Sequence, residues 1–266
     1  MAESRNNIWI SKTKQLIVSI FDSIGEDQIH GYDHAMRVYG HAKRAICTTK
    51  YKFILTSIEK QSVYLACLLH DIDDEKLFPH HIQKTPTGSY NTYKNALTVL
   101  ESIKFPLVAD VLSMIKLVSF KNNGIGKINI AHPHFLIPRD CDRLEALGLM
   151  GIARCISYGY QIHRPLYSST THRCHSVNEI KNLSLQLWMC DVEVHTTLDF
   201  FIKCLLPRSI MSTNIPYLND QAQKGEQHLL DLLLLFGKNG ILDKNMLLEI
   251  VKDDIDAVYL VEKWVV

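Results

Sequence analysis

The stretch LACLLHD, residues 65–71, is apolar over its first five positions and ends in a histidine followed directly by an aspartate. Neighbouring side chains on a helix point about 100° apart, so His70 and Asp71 cannot face one ion from the middle of a helix. At the end of a helix, however, the two side chains can converge from adjacent directions. Imidazole and carboxylate together suit a divalent first-row metal ion. The stretch therefore predicts a helix that ends at a metal site.

Two further groups of ligand-type residues lie on either side of this stretch. Upstream, the sequence HGYDH places His30 and His34 four residues apart. Downstream, the sequence DCDRL contains Asp140 and Asp142. On a helix these two aspartates lie about 200° apart, so only one of them can face the same ion. The residues alone leave open which of the two completes the site.

The apolar period along most of the chain is helical. Apolar residues recur three and four positions apart, as on the buried face of a helix, and no alternating run is long enough to predict a strand. The predicted fold class is all-α: a single helical bundle with an N-terminal helix (1–24), a main part (25–238) and a C-terminal helical extension (239–266). Helices are expected at 8–21, 35–46, 63–69, 90–103, 106–119, 139–158, 183–206, 220–236 and 246–264.

The composition narrows the class of function. Lys and Arg number 29 and Asp and Glu number 28, so the chain lacks the basic excess that is typical of a general nucleic-acid binder. The sequence shows no signal peptide, and no apolar stretch is long enough to cross a membrane. The seven cysteines form no CxxC pair, which is typical of a reduced protein. We therefore expect a cytoplasmic protein, single or as a homo-oligomer, that takes a small-molecule substrate.

Several motifs together resemble the HD superfamily of metal-dependent phosphohydrolases. The order of a histidine, a His-Asp pair and a later aspartate is similar to the superfamily's H…HD…D pattern. The closer resemblance is to a bacterial, nucleotide-pyrophosphohydrolase-like branch, which extends the metal motif to HDxxDxK. It runs from about residue 30 to residue 236. The stretches that carry it are HGYDHAMRV (30–38), LLHDIDDEKLF (68–78), YKNALTVL (93–100), IKLVSFKN (115–122), RDCDRLEALGLMGIARCISYG (139–159) and RPLY (164–167).

This resemblance implies one divalent ion and hydrolysis of a phosphoanhydride or phosphoester bond in a nucleotide or a similar phosphorylated molecule. The implied metal ligands are His34, His70, Asp71 and Asp142. Asp142 is chosen because its setting, Cys-Asp-Arg-Leu, matches the superfamily's Ala-Asp-x-Leu except for the cysteine. Asp140 is then expected to cap a helix or to contact a ligand residue. Manganese is the expected ion, with magnesium, cobalt, nickel, iron and zinc as alternatives.

Further residues are candidates for catalysis or for substrate binding. Asp74 follows Asp71 by three positions and is expected to orient or deprotonate a water. Lys76 is the cation of HDxxDxK and is expected to neutralise a phosphate. Arginine binds phosphate through its planar fork, and each cation also has a plain structural interpretation as a surface or helix-end charge. The candidate substrate contacts are His30, Lys121, Arg154 and Arg164.

Two other functions stay open at this point. Some HD proteins use two iron ions for oxygenation, which needs additional histidine ligands, and His41 and the loop histidines are not well placed for that role. A non-catalytic, ligand-sensing protein would keep the fold without the chemistry, although the intact ligand set argues against it. Iron content and oxygen consumption test the first alternative, and metal content tests the second.

Overall fold

The structure, a computed structural model, describes residues 2–22, 31–48, 55–74, 93–119, 123–124, 126–190 and 192–265. Within these ranges the regular elements are helices and no strand occurs. The predicted all-α fold class is confirmed. In the same part of the chain, no helix combines the length and the apolar character needed to cross a membrane.

The chain divides into two compact units. The first contains Met1–Gly124, Ile128–Asp142 and Ser212–Leu218, and the second contains Ile125–Lys127, Arg143–Met211 and Asn219–Val266. The predicted organisation as one domain, with 1–24 and 239–266 as its terminal helical parts, stays a proposal.

The helices of the first unit pack around α3. They are α1 (Ala2–Asp22), α2 (Tyr32–Thr48), α3 (Ser57–Leu69), α4 (Lys94–Ser102), α5 (Val108–Val118) and the first turns of α6 (Ile137–Leu147). Because α1, α2 and α5 each contact α3, almost every α3 side chain between Gln61 and Leu69 is buried. The start of α3 is fixed by a capping box, in which Thr56 and Glu59 satisfy each other's backbone N–H groups.

The second unit contains the rest of α6 and most of the C-terminal half. Its helices are α7 (Leu149–Gln161), α8 (Val177–Met189), α9 (Thr197–Phe200), α10 (Pro216–Asn239, whose first residues belong to the first unit), α11 (Lys244–Val251) and α12 (Ile255–Trp264). A π-helical turn and a 3-10 turn prolong α9 as far as Ser209. The C-terminal helices α11 and α12 pack against α7, so the predicted helical tail covers this helix.

Two helices that the sequence predicts as continuous are interrupted, and both predictions are wrong. The segment 139–158 breaks at Gly148, whose backbone is extended (φ −73°, ψ −174°). The chain passes so close to itself there that a Cβ on Gly151 would lie 2.4 Å from the carbonyl carbon of Ala146. The segment 183–206 ends at Met189 and restarts at Thr197, where the Thr196 hydroxyl caps the new helix.

Candidate metal centre

The end of α3 fixes the orientation of the His70 ring. His70 follows the last residue of the helix and is only 8% exposed. Its Nδ1 lies 2.8 Å from the backbone carbonyl oxygen of Cys67. A carbonyl only accepts, so Nδ1 carries the proton and donates it. The other ring nitrogen, Nε2, is then left with its lone pair free to bind a metal, which is how metal-ligating histidines are commonly held.

A second imidazole meets the first one from α2. His34 lies in the first turn of α2 and is 2% exposed. Its Nε2 atom lies 3.3 Å from Nε2 of His70, and the two rings meet edge to face with centroids 5.2 Å apart. The packing of α2 against α3 therefore brings two ring nitrogens together inside the first unit.

Two carboxylates complete the cluster. Asp142, on α6, places Oδ1 3.2 Å from Nε2 of His34 and 3.5 Å from Nε2 of His70. Asp71 reaches His70 through Oδ1 at 3.3 Å and His34 through Oδ2 at 3.5 Å. Both carboxylates are partly accessible, with 26% of the Asp142 side chain and 16% of the Asp71 side chain exposed. The cluster therefore has a buried imidazole side and a carboxylate side nearer to solvent.

These separations fit a shared divalent ion. Ligands bound at about 2.0–2.2 Å in tetrahedral or octahedral geometry lie roughly 3–3.5 Å from one another, and the nitrogen and oxygen atoms given above are 3.2–3.5 Å apart. Ligand atoms of His34, His70 and Asp142 all lie within 4.8 Å of one another. Two imidazoles with carboxylate oxygens form a donor set that suits a first-row ion.

The pKa shifts within the cluster also fit a site for a cation. Burial would lower the pKa of His70, but the neighbouring Asp71 and Asp142 carboxylates raise it well above its ordinary value. Burial would raise the pKa values of Asp71 and Asp142, yet the imidazoles of His70 and His34 hold both below the ordinary carboxyl range. The site therefore stabilises positive charge among its carboxylates, and either a proton or a metal ion can supply that charge.

Asp140 lies outside this cluster, although it is only two residues from Asp142. Its carboxylate is fully buried. Oδ1 accepts the Ser212 N–H at 3.1 Å and a guanidinium N–H of Arg139 at 3.3 Å. Oδ2 accepts the Thr213 N–H at 2.6 Å and the Thr213 hydroxyl at 2.8 Å. Asp140 therefore ties the segment after Met211 to α6, and Asp142 is the aspartate that meets the imidazoles.

The other predicted site residues are spread through the chain. Asp74 is half-buried in the turn after α3, where its N–H donates to the Asp71 carbonyl at 3.0 Å. Arg154 is buried on α7. Arg164 lies over the Phe200 ring at 4.6 Å and donates to the Thr197 hydroxyl at 3.4 Å, contacts that favour a structural role. The predicted residues His30, Lys76 and Lys121 lie outside the described part of the chain.

One carboxylate next to the cluster has a role that the sequence did not reveal. Asp73 accepts the N–H groups of Asn95 and Ala96, each at 2.8 Å, and so caps the start of α4. The side chain of Tyr93, the residue in the capping position of α4, makes no capping hydrogen bond to the helix. In the sequence, the only sign of this cap is that α4 lacks a capping residue of its own and follows an acidic run. That pattern does not identify which acidic residue provides the cap.

Comparisons with known proteins agree with this geometry. No family model matches the sequence. An uncharacterized protein of Acanthamoeba polyphaga mimivirus is 29% identical over 253 residues, which cover 87% of this chain and 98% of that protein. The similarity therefore extends over most of both chains.

Three solved structures have a similar fold. A Listeria innocua protein superposes with a TM-score of 0.53 at 18% identity, covering 87% of this chain and 99% of its own. A Lactobacillus plantarum protein gives 0.59 at 18% identity, covering 86% and 97%. An HD-superfamily hydrolase from Bacillus thuringiensis gives 0.59 at 20% identity, covering 88% and 98%. The chain therefore has the all-α fold that these three proteins share, one of which is an HD-superfamily hydrolase.

Proposed function

We propose that the protein is a metal-dependent hydrolase of phosphoanhydride or phosphoester bonds in nucleotides or similar small phosphorylated molecules. The observation that carries the proposal is the meeting of two buried imidazole nitrogens with carboxylate oxygens at separations that one divalent ion fits. The ligands would be His34, His70, Asp71 and Asp142, with manganese as the first ion to test. The narrower assignment to a nucleotide-pyrophosphohydrolase-like branch is part of this proposal, as is a cytoplasmic location.

The cluster's residues supply a defined environment for such chemistry. A divalent ion held by these residues would lower the pKa of a bound water and draw charge from a phosphoryl group. The hydrogen bond from His70 to the Cys67 carbonyl keeps its Nε2 aimed at the centre. Asp71 and Asp142 supply two negative charges, which favour a cation over a neutral ligand. The partly exposed carboxylate side leaves room for a phosphate to approach.

The proposal also assigns groups beyond the metal ligands. Asp74, three residues after Asp71, is proposed to orient or deprotonate the attacking water. The cation of HDxxDxK, Lys76, is proposed to neutralise a phosphate on the grounds of its sequence position. The remaining candidates for substrate contact are His30, Lys121, Arg154 and Arg164, of which Arg164 already contacts Phe200 and Thr197.

The test combines metal analysis with a substrate screen. Purified protein is loaded with manganese, magnesium, cobalt or nickel and offered nucleoside mono-, di- and triphosphates, while phosphate and pyrophosphate release are followed separately. Asp71→Ala should lose stoichiometric metal and hydrolysis together and keep a helical circular-dichroism spectrum. The exposed neighbour of His34 provides the matched control, because Asp33→Ala removes a nearby carboxylate and should keep both properties.

The outcomes separate the functions that the sequence leaves open. Stoichiometric metal without hydrolysis of any nucleotide would favour the ligand-sensing alternative. Two irons per chain with oxygen consumption would favour oxygenation. Normal metal binding and turnover in Asp71→Ala would contradict the assigned site.

A further inference from the structure

A small cavity lies in the first unit, between the segment before α6 and the segment that Asp140 holds. Its volume is about 240 Å³. The residues that line it are Ile128, Asn129, Ile130, Pro133, Leu136, Ser212, Thr213 and Asn214. Sites for drug-sized ligands typically measure about 300–1,000 Å³. The cavity therefore has room for a single ring system rather than for a complete nucleotide.

The lining of the cavity is uncharged and about half polar. Its polar residues are Asn129, Ser212, Thr213 and Asn214. Four apolar side chains contribute to it: Ile128, Ile130, Pro133 and Leu136. None of the described residues that line it is acidic or basic. A phosphate or an ammonium group would lose its hydration there without gaining a counter-charge. The cavity therefore favours a neutral ligand that combines apolar surface with hydrogen-bonding groups.

Ser212 offers that ligand a hydrogen-bond donor. Its hydroxyl oxygen accepts the Ile128 N–H at 3.2 Å and a guanidinium N–H of Arg139 at 2.5 Å. A serine hydroxyl has two acceptor lone pairs and one hydrogen. Both lone pairs are engaged by these two donors, so the O–H remains to donate. The ligand group opposite Ser212 has to be an acceptor.

Thr213 offers the complementary group. Its hydroxyl donates to Oδ2 of Asp140 at 2.8 Å, so its hydrogen is used and its lone pairs remain to accept. The ligand group opposite Thr213 therefore has to be a donor. Consecutive residues thus present a donor and an acceptor, which is the pattern that a carbonyl beside an N–H complements.

This polar wall is held in place before any ligand arrives. Arg139 and Asp140 are both fully buried. Together they make hydrogen bonds to the Ser212 hydroxyl, to the N–H groups of Ser212 and Thr213 and to the Thr213 hydroxyl. A wall that is fixed in the free protein loses little freedom when it binds, which favours affinity for a small ligand.

We propose that this cavity binds a nucleobase through its cis-amide edge, with the base carbonyl accepting from Ser212 and the base N–H donating to Thr213. Uracil and hypoxanthine carry this edge. The site is distinct from the metal cluster, because Asp140 and Asp142 project from α6 about 200° apart. It goes beyond the proposed hydrolase function and does not depend on it.

The experiment uses the full-length protein freed of metal with EDTA, so that the metal cluster contributes nothing to binding. Uridine and inosine are titrated into the protein by calorimetry, alongside 3-methyluridine and 1-methylinosine, in which a methyl group replaces the N–H of the edge. We expect saturable binding of the parent nucleosides and at least about tenfold weaker binding of the methylated ones, the loss of roughly one hydrogen bond.

A pair of isoleucine variants locates the site. Ile130→Trp fills the cavity from its half-buried wall and should abolish binding. Ile255→Trp makes the same change at a residue that is 84% exposed on α12 and should leave binding unchanged. Equal affinity for the methylated nucleosides, unchanged binding in Ile130→Trp, or no saturable binding up to about 10 mM would each overturn the proposal. Because all these measurements are made without metal, a negative result here leaves the proposed hydrolase function untouched.

Discussion

Asp140 and Asp142 lie two residues apart on α6, and their surroundings have almost nothing in common. Asp142 is partly accessible and faces the Nε2 atoms of His34 and His70. Asp140 is fully buried, and four donors from Arg139, Ser212 and Thr213 occupy its oxygens. Positions two apart on a helix project about 200° from each other. Helix α6 therefore places the Asp142 carboxylate against the two imidazoles and the Asp140 carboxylate against buried hydrogen-bond donors.

The difference lies in what each partner can exchange. An imidazole nitrogen can hold either a proton or a metal ion, so a metal ion can replace a proton among the atoms beside Asp142. The backbone N–H groups, the guanidinium and the hydroxyl beside Asp140 stay protonated at neutral pH, so a metal ion cannot take the place of their protons. Burial raises the pKa of Asp140 and the Thr213 and Ser212 hydrogen bonds counter only part of that rise, whereas the His34 and His70 imidazoles lower the pKa of Asp142. Identical side chains thus acquire opposite electrostatics from their neighbours.

The largest expected effect is on metal affinity. Asp142→Asn removes a negative oxygen from the cluster and should weaken manganese binding by more than about 100-fold. Loss of a residue that only supports a ligand typically costs about 10- to 100-fold, so Asp140→Asn should cost less. Calorimetric titration of metal-free protein measures both affinities. Equal losses, or a larger loss in Asp140→Asn, would move the ligand role to Asp140.

For conformational stability we expect the larger loss in Asp140→Asn and the smaller loss in Asp142→Asn. In Asp140→Asn, an amide NH2 replaces one acceptor oxygen and faces backbone N–H donors, so we expect the free energy of unfolding to fall by about 1–3 kcal/mol. Asp142→Asn should change the stability of metal-free protein by less, since its carboxylate is partly solvated. Urea denaturation measures both values, and the exposed Asp220→Asn on α10 serves as the control. A more destabilised Asp142→Asn would contradict the assignment of Asp140 as the structural carboxylate.

The pH dependence of metal stabilisation sharpens the contrast further. The pKa of His70 is raised in the folded, metal-free protein. Its contribution to stability is therefore fully present below the unfolded value of about 6.5 and is lost as pH rises through the raised folded value. Metal binding needs the neutral imidazole. The gain in Tm on adding manganese should therefore grow as the pH rises from roughly 6 to roughly 8.5, a range that begins near the unfolded pKa of histidine.

Thermal melts with manganese and with EDTA at each pH provide the measurement. His172 is exposed and lies outside the cluster, so His172→Gln should keep the same pH profile. A Tm gain that is flat or falls with rising pH would show that protons and metal do not compete for His70.

The sequence predicts the surroundings of Asp142 better than those of Asp140. His70 and Asp71 follow a buried apolar run, and a helix end is where neighbouring side chains converge, so local pattern and helix geometry suffice to predict their meeting. His34 and Asp142 follow once the motif order is recognised. The donors that Ser212 and Thr213 provide to Asp140, in contrast, are more than 70 residues away in sequence. Nothing in a Ser-Thr pair after a helix says which buried acid it will meet.

The interrupted helices show the same limit of local patterns. Apolar spacing continues across Gly148, and a glycine within a helical pattern is usually tolerated. The break depends on the close approach of Gly151 to the Ala146 backbone, which is a property of the folded chain. Asp73 is a similar case, because its role as the cap of α4 depends on how two segments meet 22 residues apart.

The smallest expected effect tests whether the two sides of α6 are independent. Thr213→Val removes the hydroxyl that donates to Asp140 and keeps the backbone N–H bond to the same oxygen. We expect the free energy of unfolding to fall by about 0.5–1.5 kcal/mol, the net value of one hydrogen bond. Metal affinity should stay within a few-fold of wild type.

Two double variants complete the comparison. Residues that share one hydrogen-bond network usually show non-additive effects, whereas separate sites add within about 0.3–0.5 kcal/mol. Thr213→Val combined with Asp140→Asn should therefore destabilise the protein by less than the sum of the two single changes. The reason is that both changes affect the same hydrogen bond, from the Thr213 hydroxyl to Asp140. Thr213→Val combined with Asp142→Asn should be additive. Coupling between Thr213 and Asp142 as strong as that between Thr213 and Asp140 would mean that the metal cluster and the buried carboxylate form one network, and the contrast between the two aspartates would no longer hold.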